Sequence, residues 1–223
     1  MPEDAGNRPR TAPPETRRRQ LVEVTIDSIA RQGLSGTTLS GVTARAGLSV
    51  GLANFHFRSK HILLEETLRH LAEEHRDAWR KPLGRKGLSA ADRLLAIVDA
   101  HFERRICSRR KIAVWFAFFG DPAWRAAYRA IMAEIDAERR GVSADLCARI
   151  ISEGNYWELD ATAAAGMLEA LYDGFWLNML IYPGNFDRDG ARAAIHAFLA
   201  RTFPDHFGGE QGRADRRTGD NTA

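Results

Sequence analysis

Apolar residues recur every three to four positions through most of the chain, which is the spacing of one helix face. In the segment 17–32, Val22, Ile26 and Ile29 lie four and seven positions apart and predict a buried stripe. Gly33 follows and is suited to a left-handed helix end. Since no stretch shows the β-branched alternation of a strand, we predict an all-α fold of about nine helices.

Small polar residues and glycines predict where the next helices begin and end. Thr38 is suited to cap a short second helix, and Gly47 permits the tight turn that follows it. Ser49 is suited to cap a third short helix that ends near Phe57, and Ser59 to cap a long fourth one. The first quarter of the chain is therefore expected to form three helices.

Later signals are a capping box and prolines. Ser89 and Asp92 have the spacing of a capping box, which predicts a helix that runs to about Cys107. Asp121 and Pro122 resemble an N-cap and a first-turn proline, which predicts that a long helix begins there. The other helices of this region are expected over residues 111–120, 160–182 and 187–203.

Composition excludes several classes of protein. The chain has 223 residues, of which 44% are hydrophobic and 27% charged, and no apolar run approaches the ~18 residues of a membrane span. Its polar beginning lacks the apolar core of a secretory signal, so we expect a cytoplasmic protein without a membrane partner. Cys107 and Cys147 are too few for a disulfide scaffold and lack the spacing of metal ligands.

Charge is unevenly distributed along the chain. Residues 1–60 hold nine Lys and Arg against five Asp and Glu, whereas the remaining residues hold 23 against 24. This asymmetry predicts that the N-terminal quarter contacts a polyanion and that the remainder has another task. The alternative is a solvated charged surface.

Three helices, the last two joined by a glycine-containing turn, form the unit that places a recognition helix in the major groove of DNA. The second helix has to brace the third, so the apolar positions are expected to point inward: Leu39, Val42, Ala46, Leu48, Ala53 and Phe57. The positions expected to face outward on the third helix are Val50, Leu52, Asn54, Phe55 and His56.

The stretch 38–60 closely resembles the helix-turn-helix of the tetracycline-repressor (TetR) family. The features that carry the resemblance are Thr38 before the second helix, Ala-Gly-Leu-Ser at 46–49, Phe-His-Phe at 55–57 and Ser-Lys at 59–60. Paired leucines follow at 63–64, as they do in the family. The pattern covers about 45 residues and is specific, so it implies a DNA-binding transcriptional regulator rather than an enzyme.

The resemblance also implies which residues contact DNA. Thr38 and Lys60 correspond to phosphate contacts at helix starts, where backbone N–H groups favour anions. Other positions that correspond to DNA contacts are Ser40, Ser49, Phe55 and His56, whereas those facing base edges are Val50, Gly51, Leu52 and Asn54. The alternative for His56 is packing against the first helix.

Val50 and Leu52 are unusual for base readers. Neither side chain can form the bidentate hydrogen bonds that distinguish bases, so both can contact only thymine methyl groups. More of the discrimination is then left to Asn54, to the second helix and to DNA shape.

Three consecutive arginines, Arg17, Arg18 and Arg19, lie at the start of the first helix. Such a cluster can enter a minor groove or bind phosphates. The alternative is a solvated basic helix start.

The C-terminal region is rich in aromatic residues. Trp-Phe-Ala-Phe-Phe at 115–119 places four aromatic rings around most of one helix, so some of them must line a cavity or an interface. This block, the arginines and Tyr-Asp-Gly-Phe-Trp-Leu at 172–177 resemble one branch of the family, the choline-responsive repressors of glycine betaine synthesis. The similarity extends over most of the chain and is looser after residue 80.

A quaternary ammonium ion has no hydrogen-bond donor and is recognised by aromatic faces aided by a carboxylate. The residues that we expect to bind such a ligand are Trp115, Phe119, Trp124, Tyr172, Asp173 and Trp176. For any single ring the alternative is core packing, and for Asp173 it is a helix cap or a pair with an arginine.

The last two predicted helices carry many small residues, which allow close helix approach. In the family the corresponding pair forms a four-helix dimer interface, so we expect a homodimer through about 160–203. A dimer places two recognition helices on half-sites roughly 34–36 Å apart and so reads a palindromic operator.

The resulting expectation is a repressor that a small-molecule inducer releases from DNA. The segments expected are a disordered arm at 1–15, a helix-turn-helix domain at 16–62, a ligand-binding and dimerisation domain at 63–206 and a disordered tail at 207–223. The inducer is expected to be choline or a related quaternary amine; the alternative is a TetR-type regulator of efflux or catabolism that senses another ligand.

Other classes of function are less well supported. His70 and His75 are five residues apart and point about 140° away from each other on a helix, so they do not form a zinc pair. Because neither a catalytic triad motif nor a glycine-rich phosphate loop is present, no cofactor, metal or catalytic residue is expected. A helical binding or scaffolding protein without DNA affinity is the remaining alternative.

Overall fold

The computed structural model describes residues 13–208, and within that range the regular structure is entirely helical. Nine of its ten α-helices have seven or more residues, so the predicted all-α fold is confirmed. The α-helices are α1 Pro14–Gly36, α2 Leu39–Ala46, α3 Val50–Phe57, α4 Lys60–Arg80, α5 Ala90–His101, α6 Arg109–Gly120, α7 Arg125–Gly154, α8 Ala161–Ile181, α9 Arg188–Thr202 and α10 Pro204–Phe207.

Helix ends form where the capping residues predicted them. The Thr38 hydroxyl accepts a hydrogen bond from the Gly41 N–H at 3.1 Å, and the Ser49 hydroxyl accepts one from the Leu52 N–H at 3.2 Å. Gly47 ends α2 with φ +63°, a left-handed conformation that glycine adopts without steric cost. These local bonds hold α2 and α3 in a fixed helix-turn-helix.

Three predicted boundaries were wrong. Helix α1 begins at Pro14, inside the segment expected to be disordered, because proline fits the first turn of a helix. Helix α5 ends at His101 rather than near Cys107, since the chain must turn to bury Phe102 and Ile106.

The third wrong boundary is the beginning of α7. This helix begins at Arg125, and Asp121 instead caps the preceding turn by accepting a 2.9 Å hydrogen bond from the Ala123 N–H. The ring of Trp124 packs edge-on against Phe118 with the centroids 5.4 Å apart, which holds this turn outside the helix.

The chain divides into two compact units between Thr67 and Leu68, within α4. In the first unit α1 packs on α2 and α3. The fully buried side chains that form this core include Leu21, Ile26, Val42, Ala53, Phe57 and Leu64. Of the predicted inward positions, Leu39, Ala46 and Leu48 are only half-buried.

In the second unit α7 packs on α5 and α8, and α6 packs on both α7 and α8. Helix α9 covers α5 and also contacts α8 and the short α10. The core includes the fully buried residues Leu94, Ile97, Phe118, Cys147, Ile150, Ile195 and Leu199. Among the described helices, none combines the length and apolar character needed to cross a bilayer.

Most residues of the predicted arm at 1–15 and tail at 207–223 lie outside the described residues, so those two predictions stay predictions.

Candidate functional site

The outer face of α3 is exposed and mixed in character. Phe55 is 76% exposed and Val50 44% exposed, and Gly51 and Asn54 are exposed beside them. The opposite face is fixed to the core by Ala53 and Phe57, which are the buried residues of the helix. Helix α3 is therefore a rigid element with a solvent-facing row of the width that a major groove accepts.

Helix starts surround this row with polar groups. Ser49 caps α3 itself, while the Thr38 and Ser40 hydroxyls lie 3.4 Å apart at the start of α2. Lys60, at the start of α4, donates from Nζ to the Ser35 carbonyl at 3.1 Å. Unpaired N–H groups and cations at helix starts favour phosphate oxygens, so these positions suit contacts with a DNA backbone.

Two other predicted DNA contacts, Leu52 and His56, are half-buried. The Nε2 atom of His56 is buried without a hydrogen-bond partner in the described part of the chain. Its ring lies edge-on to Phe55, with the centroids 5.2 Å apart. His56 thus supports the exposed Phe55 ring as well as lying at the edge of the α3 surface.

The three arginines have different surroundings. Arg18 forms an ion pair with Glu66, and its guanidinium lies 5.7 Å from the centre of the Phe57 ring. Arg17 donates to the Gln20 side chain at 3.0 Å, and Arg19 is exposed. Arg18 therefore joins α1 to α3 and α4, whereas Arg19 is the most accessible arginine of the cluster.

A cavity of about 270 Å³ lies within the second unit, and helices α4 to α8 all contribute to its wall. Five residues that the sequence predicted to bind a ligand line this cavity: Trp115, Phe119, Tyr172, Asp173 and Trp176. The sixth, Trp124, is not among the lining residues and packs against Phe118 instead.

Aromatic rings form much of the cavity wall. Tyr128 lies edge-on to Trp115 and to Phe119, with centroids 6.4 and 6.0 Å apart. Trp176 is held from behind, because its indole N–H donates to the His101 carbonyl at 3.2 Å. These contacts fix ring faces and edges around one small volume.

The charged residues of the cavity carry an excess of negative charge. Arg139 donates from Nε to both carboxylate oxygens of Glu169 at 3.0 and 3.1 Å, and its Nη2 lies 3.2 Å from Asp136. Asp173 also lines the cavity and has no hydrogen bond or close ion pair with any residue of 13–208. The cavity wall thus holds three carboxylates and one guanidinium, which pairs with only two of them, and the excess of negative charge suits a cation.

Burial raises the pKa of Asp136 and of Asp173 above the ordinary value for aspartate. The Arg139 charge opposes this effect at both carboxyls, and the Glu169 charge adds to it. A bound cation would favour the ionised form of each carboxyl, so these two groups are the ones whose charge a ligand would change.

Two buried histidines complete the wall. Burial lowers the pKa of His75 well below the ordinary value, and it lowers the pKa of His101 to about 3. His101 Nδ1 lies 2.8 Å from the Ile97 carbonyl, which can only accept, so Nδ1 carries the proton. Both imidazoles are neutral at physiological pH and add no positive charge to the cavity.

The sequence analysis missed ten residues that line the cavity, namely His75, His101, Phe116, Tyr128, Met132, Asp136, Arg139, Glu169, Gly174 and Leu177. A signal for Glu169 was present, because it lies three and seven positions before Tyr172 and Trp176 on the same helix face. No comparable signal was present for His75, which reaches the cavity from another helix.

One exposed face of α8 is made of small and apolar residues. It includes Ala163, Gly166, Met167, Ala170, Gly174, Leu177 and Ile181, which recur every three or four positions apart from the adjacent pair Gly166 and Met167. Met167 and Ile181 are 52% and 53% exposed, and no heavy atom lies near where a Cβ on Gly166 or Gly174 would be. Such a face permits close approach of another helix.

Comparison with known proteins identifies both units. Residues 21–67 match the family model described as bacterial regulatory proteins, tetR family. Residues 90–204 match the model of the BetI-type transcriptional repressor C-terminal region. The chain belongs to the TetR family and has a BetI-type C-terminal domain. It is a DNA-binding transcriptional regulator rather than an enzyme.

Curated relatives support the TetR assignment over most of the chain. The regulator BetI of Paraburkholderia phymatum is 34% identical over 194 residues, which cover 86% of this chain and 95% of the relative. BetI of Burkholderia thailandensis is also 34% identical, over 83% of this chain and 92% of the relative.

Solved structures agree with the TetR fold. A transcriptional regulator from Pseudomonas aeruginosa PAO1 is similar with a TM-score of 0.71 and 26% identity, covering 91% of this chain and 95% of that one. A regulator from Saccharomonospora viridis, solved in complex with choline, has a TM-score of 0.65 and 22% identity, covering 83% and 96%. At 22% identity the second similarity shows the fold alone.

Proposed function

We propose that this TetR-family protein is a dimeric repressor of glycine betaine synthesis that choline or a related quaternary amine releases from a palindromic operator. The observation that carries the ligand class is the cavity of the second unit. Aromatic rings and three carboxylates line it, and its arginine, Arg139, pairs with only two of these carboxylates, Glu169 and Asp136. Aromatic faces and unneutralised carboxylates are the groups that recognise a quaternary ammonium ion.

The balance of charge favours a cation over an anionic or purely apolar ligand. Asp136 is half-buried and Asp173 is exposed at the cavity, and partial desolvation raises the pKa of both carboxyls, so a counter-charge would favour their ionised forms. A ligand cation would supply that counter-charge, whereas a ligand carboxylate would oppose it. The S. viridis regulator, which has the same fold, was solved in complex with choline, a ligand of this class.

The exposed α8 face supports the proposed dimer. Its small residues, with Met167 and Ile181 beside them, would be covered by a second copy of the chain. Two α3 surfaces related by a twofold axis would then contact successive major grooves of a palindromic site. Induction would be a population shift, in which ligand favours a spacing of the two α3 helices that no longer matches DNA.

The proposed site residues follow from these placements. For DNA contact they are Arg17, Arg19, Thr38, Ser40, Ser49, Val50, Gly51, Leu52, Asn54, Phe55, His56 and Lys60, with Arg18 beside them chiefly joining α1 to α3 and α4. For ligand binding they are Trp115, Phe119, Tyr172, Asp173 and Trp176, together with Tyr128 and Asp136. We expect the protein to be located in the cytoplasm, where it would bind DNA.

Three measurements on the full chain test the proposal. A mobility shift with the protein's own promoter should give one retarded complex, and analytical ultracentrifugation should give a dimer. Choline should quench tryptophan fluorescence, because Trp115 and Trp176 lie in the cavity wall. Trp157→Phe is the matched control: this ring is 69% exposed and is not among the cavity residues, so the response should remain.

Three results would contradict parts of the proposal. Absence of promoter binding would contradict the repressor, and a monomer would contradict the palindromic operator. No fluorescence response at millimolar choline, with a response to another ligand, would favour a TetR-type regulator of a different pathway.

A further inference from the structure

The cavity contains a polar atom for which the protein itself supplies no partner. His75 lines the cavity from α4 and is only 4% exposed. Its Nε2 atom is buried and has no hydrogen-bond partner in the described part of the chain. Buried polar atoms are normally paired, so an unpaired one in a cavity wall indicates a group that arrives with a ligand.

The position of the His75 ring is set by its neighbours. It lies edge-on to His101 at 4.7 Å between centroids, and the Trp176 centroid is 5.5 Å away. His101 in turn stacks on Tyr172 at 3.7 Å, with an angle of 10° between the planes. His75 therefore belongs to a ring cluster that adjoins the aromatic wall rather than to a separate pocket.

Chemistry limits what His75 can recognise. The imidazole is neutral, so it offers one donor and one acceptor and carries no charge that would attract an anion. A hydroxyl group can donate to it or accept from it. A carboxylate is disfavoured, because Asp136, Glu169 and Asp173 already give the cavity an excess of negative charge.

We propose that His75 is a specificity-determining residue, whose Nε2 atom hydrogen-bonds the hydroxyl group of a quaternary ammonium ligand. This inference rests on the proposed function, since it assumes that the cation lies against the aromatic and acidic wall. The cavity then has two recognition elements, one for the charged head and one for the hydroxyl. Ligand selection depends on both.

A second unpaired atom shows that the polar groups of the cavity are not satisfied internally. Tyr172 also lines the cavity, and its Oη is buried without a partner among the described residues. His75 is the residue that we assign to the hydroxyl, because it lies on α4, the helix that continues into the DNA-binding unit. A hydrogen bond there would connect the ligand directly to that helix.

The test compares two cations that differ in one group. Choline and ethyltrimethylammonium share the same two-carbon chain and trimethylammonium head, but the second has a hydrogen atom in place of the hydroxyl group. Dissociation constants of both would be measured by calorimetry on the full-length wild type, His75→Leu and His75→Gln. Thermal unfolding of each variant, followed by circular dichroism, checks folding.

The wild type is expected to bind choline about tenfold more tightly than ethyltrimethylammonium, the value of one well-formed buried hydrogen bond. His75→Leu should remove that preference by weakening choline alone. His75→Gln, which keeps a polar group near the Nε2 position, should retain much of it. If His75→Leu does not fold, the preference of the wild type for choline and its retention in His75→Gln still test the inference.

Equal affinities in the wild type would overturn the inference and leave the quaternary-amine proposal intact. If His75→Leu weakens the binding of both cations equally, the inference is also overturned, because His75 would then have only a packing role. If neither cation binds to the wild type, the proposed ligand class is wrong and the assignment of His75 falls with it.

Discussion

The two units of this TetR-family chain use polar groups in opposite ways. In the first unit the candidate DNA-contacting groups are exposed at helix starts, as Thr38 and Ser49 are. In the second unit Arg139, His75 and Lys111 are buried, and Arg139 and Lys111 are paired with Glu169 and Glu74. Exposed polar groups can contact a large polyanion such as DNA. A cavity instead selects a small ligand whose charge compensates the unbalanced charge of the cavity residues.

The largest expected effect comes from removing Arg139, the only Arg or Lys among the described residues that line the cavity. Arg139→Met would leave Glu169 buried without its counter-charge, next to Asp136 and Asp173. Breaking a buried ion pair in this way costs about 3–5 kcal/mol of unfolding free energy. Urea denaturation followed by circular dichroism measures it.

Arg140→Met is the matched control for that substitution. Arg140 is the next residue on α7, is exposed and bonds only to the Asp136 carbonyl among the contacts described for it. Its loss should change the free energy of unfolding by less than about 0.5 kcal/mol. A similar loss of unfolding free energy in both variants would show that Arg139 and its ion pair stabilise the fold no more than an exposed arginine does.

A smaller effect is expected at the turn of the first unit. Gly47 has φ +63° and open space around it, so Gly47→Ala would be strained by its backbone conformation alone. We expect a loss of about 1–2 kcal/mol in unfolding free energy. Gly51→Ala, within α3, should instead be neutral or gain up to about 1 kcal/mol. Equal effects would mean that the left-handed turn is not what fixes α3.

The three arginines at the start of α1 are expected to differ in role, two of them contacting DNA and one of them stabilising the fold. Arg17→Ala and Arg19→Ala should each lower the slope of log affinity against log salt by about one unit, if each binds a phosphate. Arg18→Ala should chiefly reduce stability, by less than about 1 kcal/mol, because Arg18 pairs with Glu66 and lies over Phe57. If the salt slope is unchanged in the triple alanine variant, the three arginines do not contact DNA.

The smallest expected effect is the pH dependence of cation binding. A cation binds the ionised carboxyls better, so its affinity should rise as pH rises through the ligand-free pKa values of Asp136 and Asp173. Because burial raises both pKa values, the loss on acidification should begin at a higher pH than for ordinary aspartates. Titration calorimetry on wild type and Asp173→Asn would measure it. A pH-independent affinity would contradict a role for these carboxyls.

The helix-turn-helix could be predicted from sequence because its signals are local. Thr38 and Ser49 each accept a hydrogen bond from the N–H three residues later, and Gly47 takes the left-handed conformation expected of it. The end of α5 could not be predicted in the same way. It depends on burying Phe102 and Ile106 in a core that other helices complete.

The cavity was predictable only in part. The density of aromatic residues on α6 and α8 indicated Trp115 and Trp176, but not what lies opposite them. Asp136 and Arg139 have the spacing of an ordinary exposed ion pair on a helix. Their burial depends on Glu169, thirty residues later than Arg139, and on the packing of α7 against α8. Contacts between residues so far apart in the sequence cannot be predicted from a local sequence pattern.

The central claim is that a cation in the cavity controls DNA affinity. Fluorescence anisotropy of labelled promoter DNA, titrated with choline in the presence of the full-length protein, tests it most directly. We expect choline to release DNA from the wild type, and we expect the Asp136→Asn/Asp173→Asn variant to require far more choline for release. DNA that stays bound to the wild type while choline saturates the tryptophan response would contradict it.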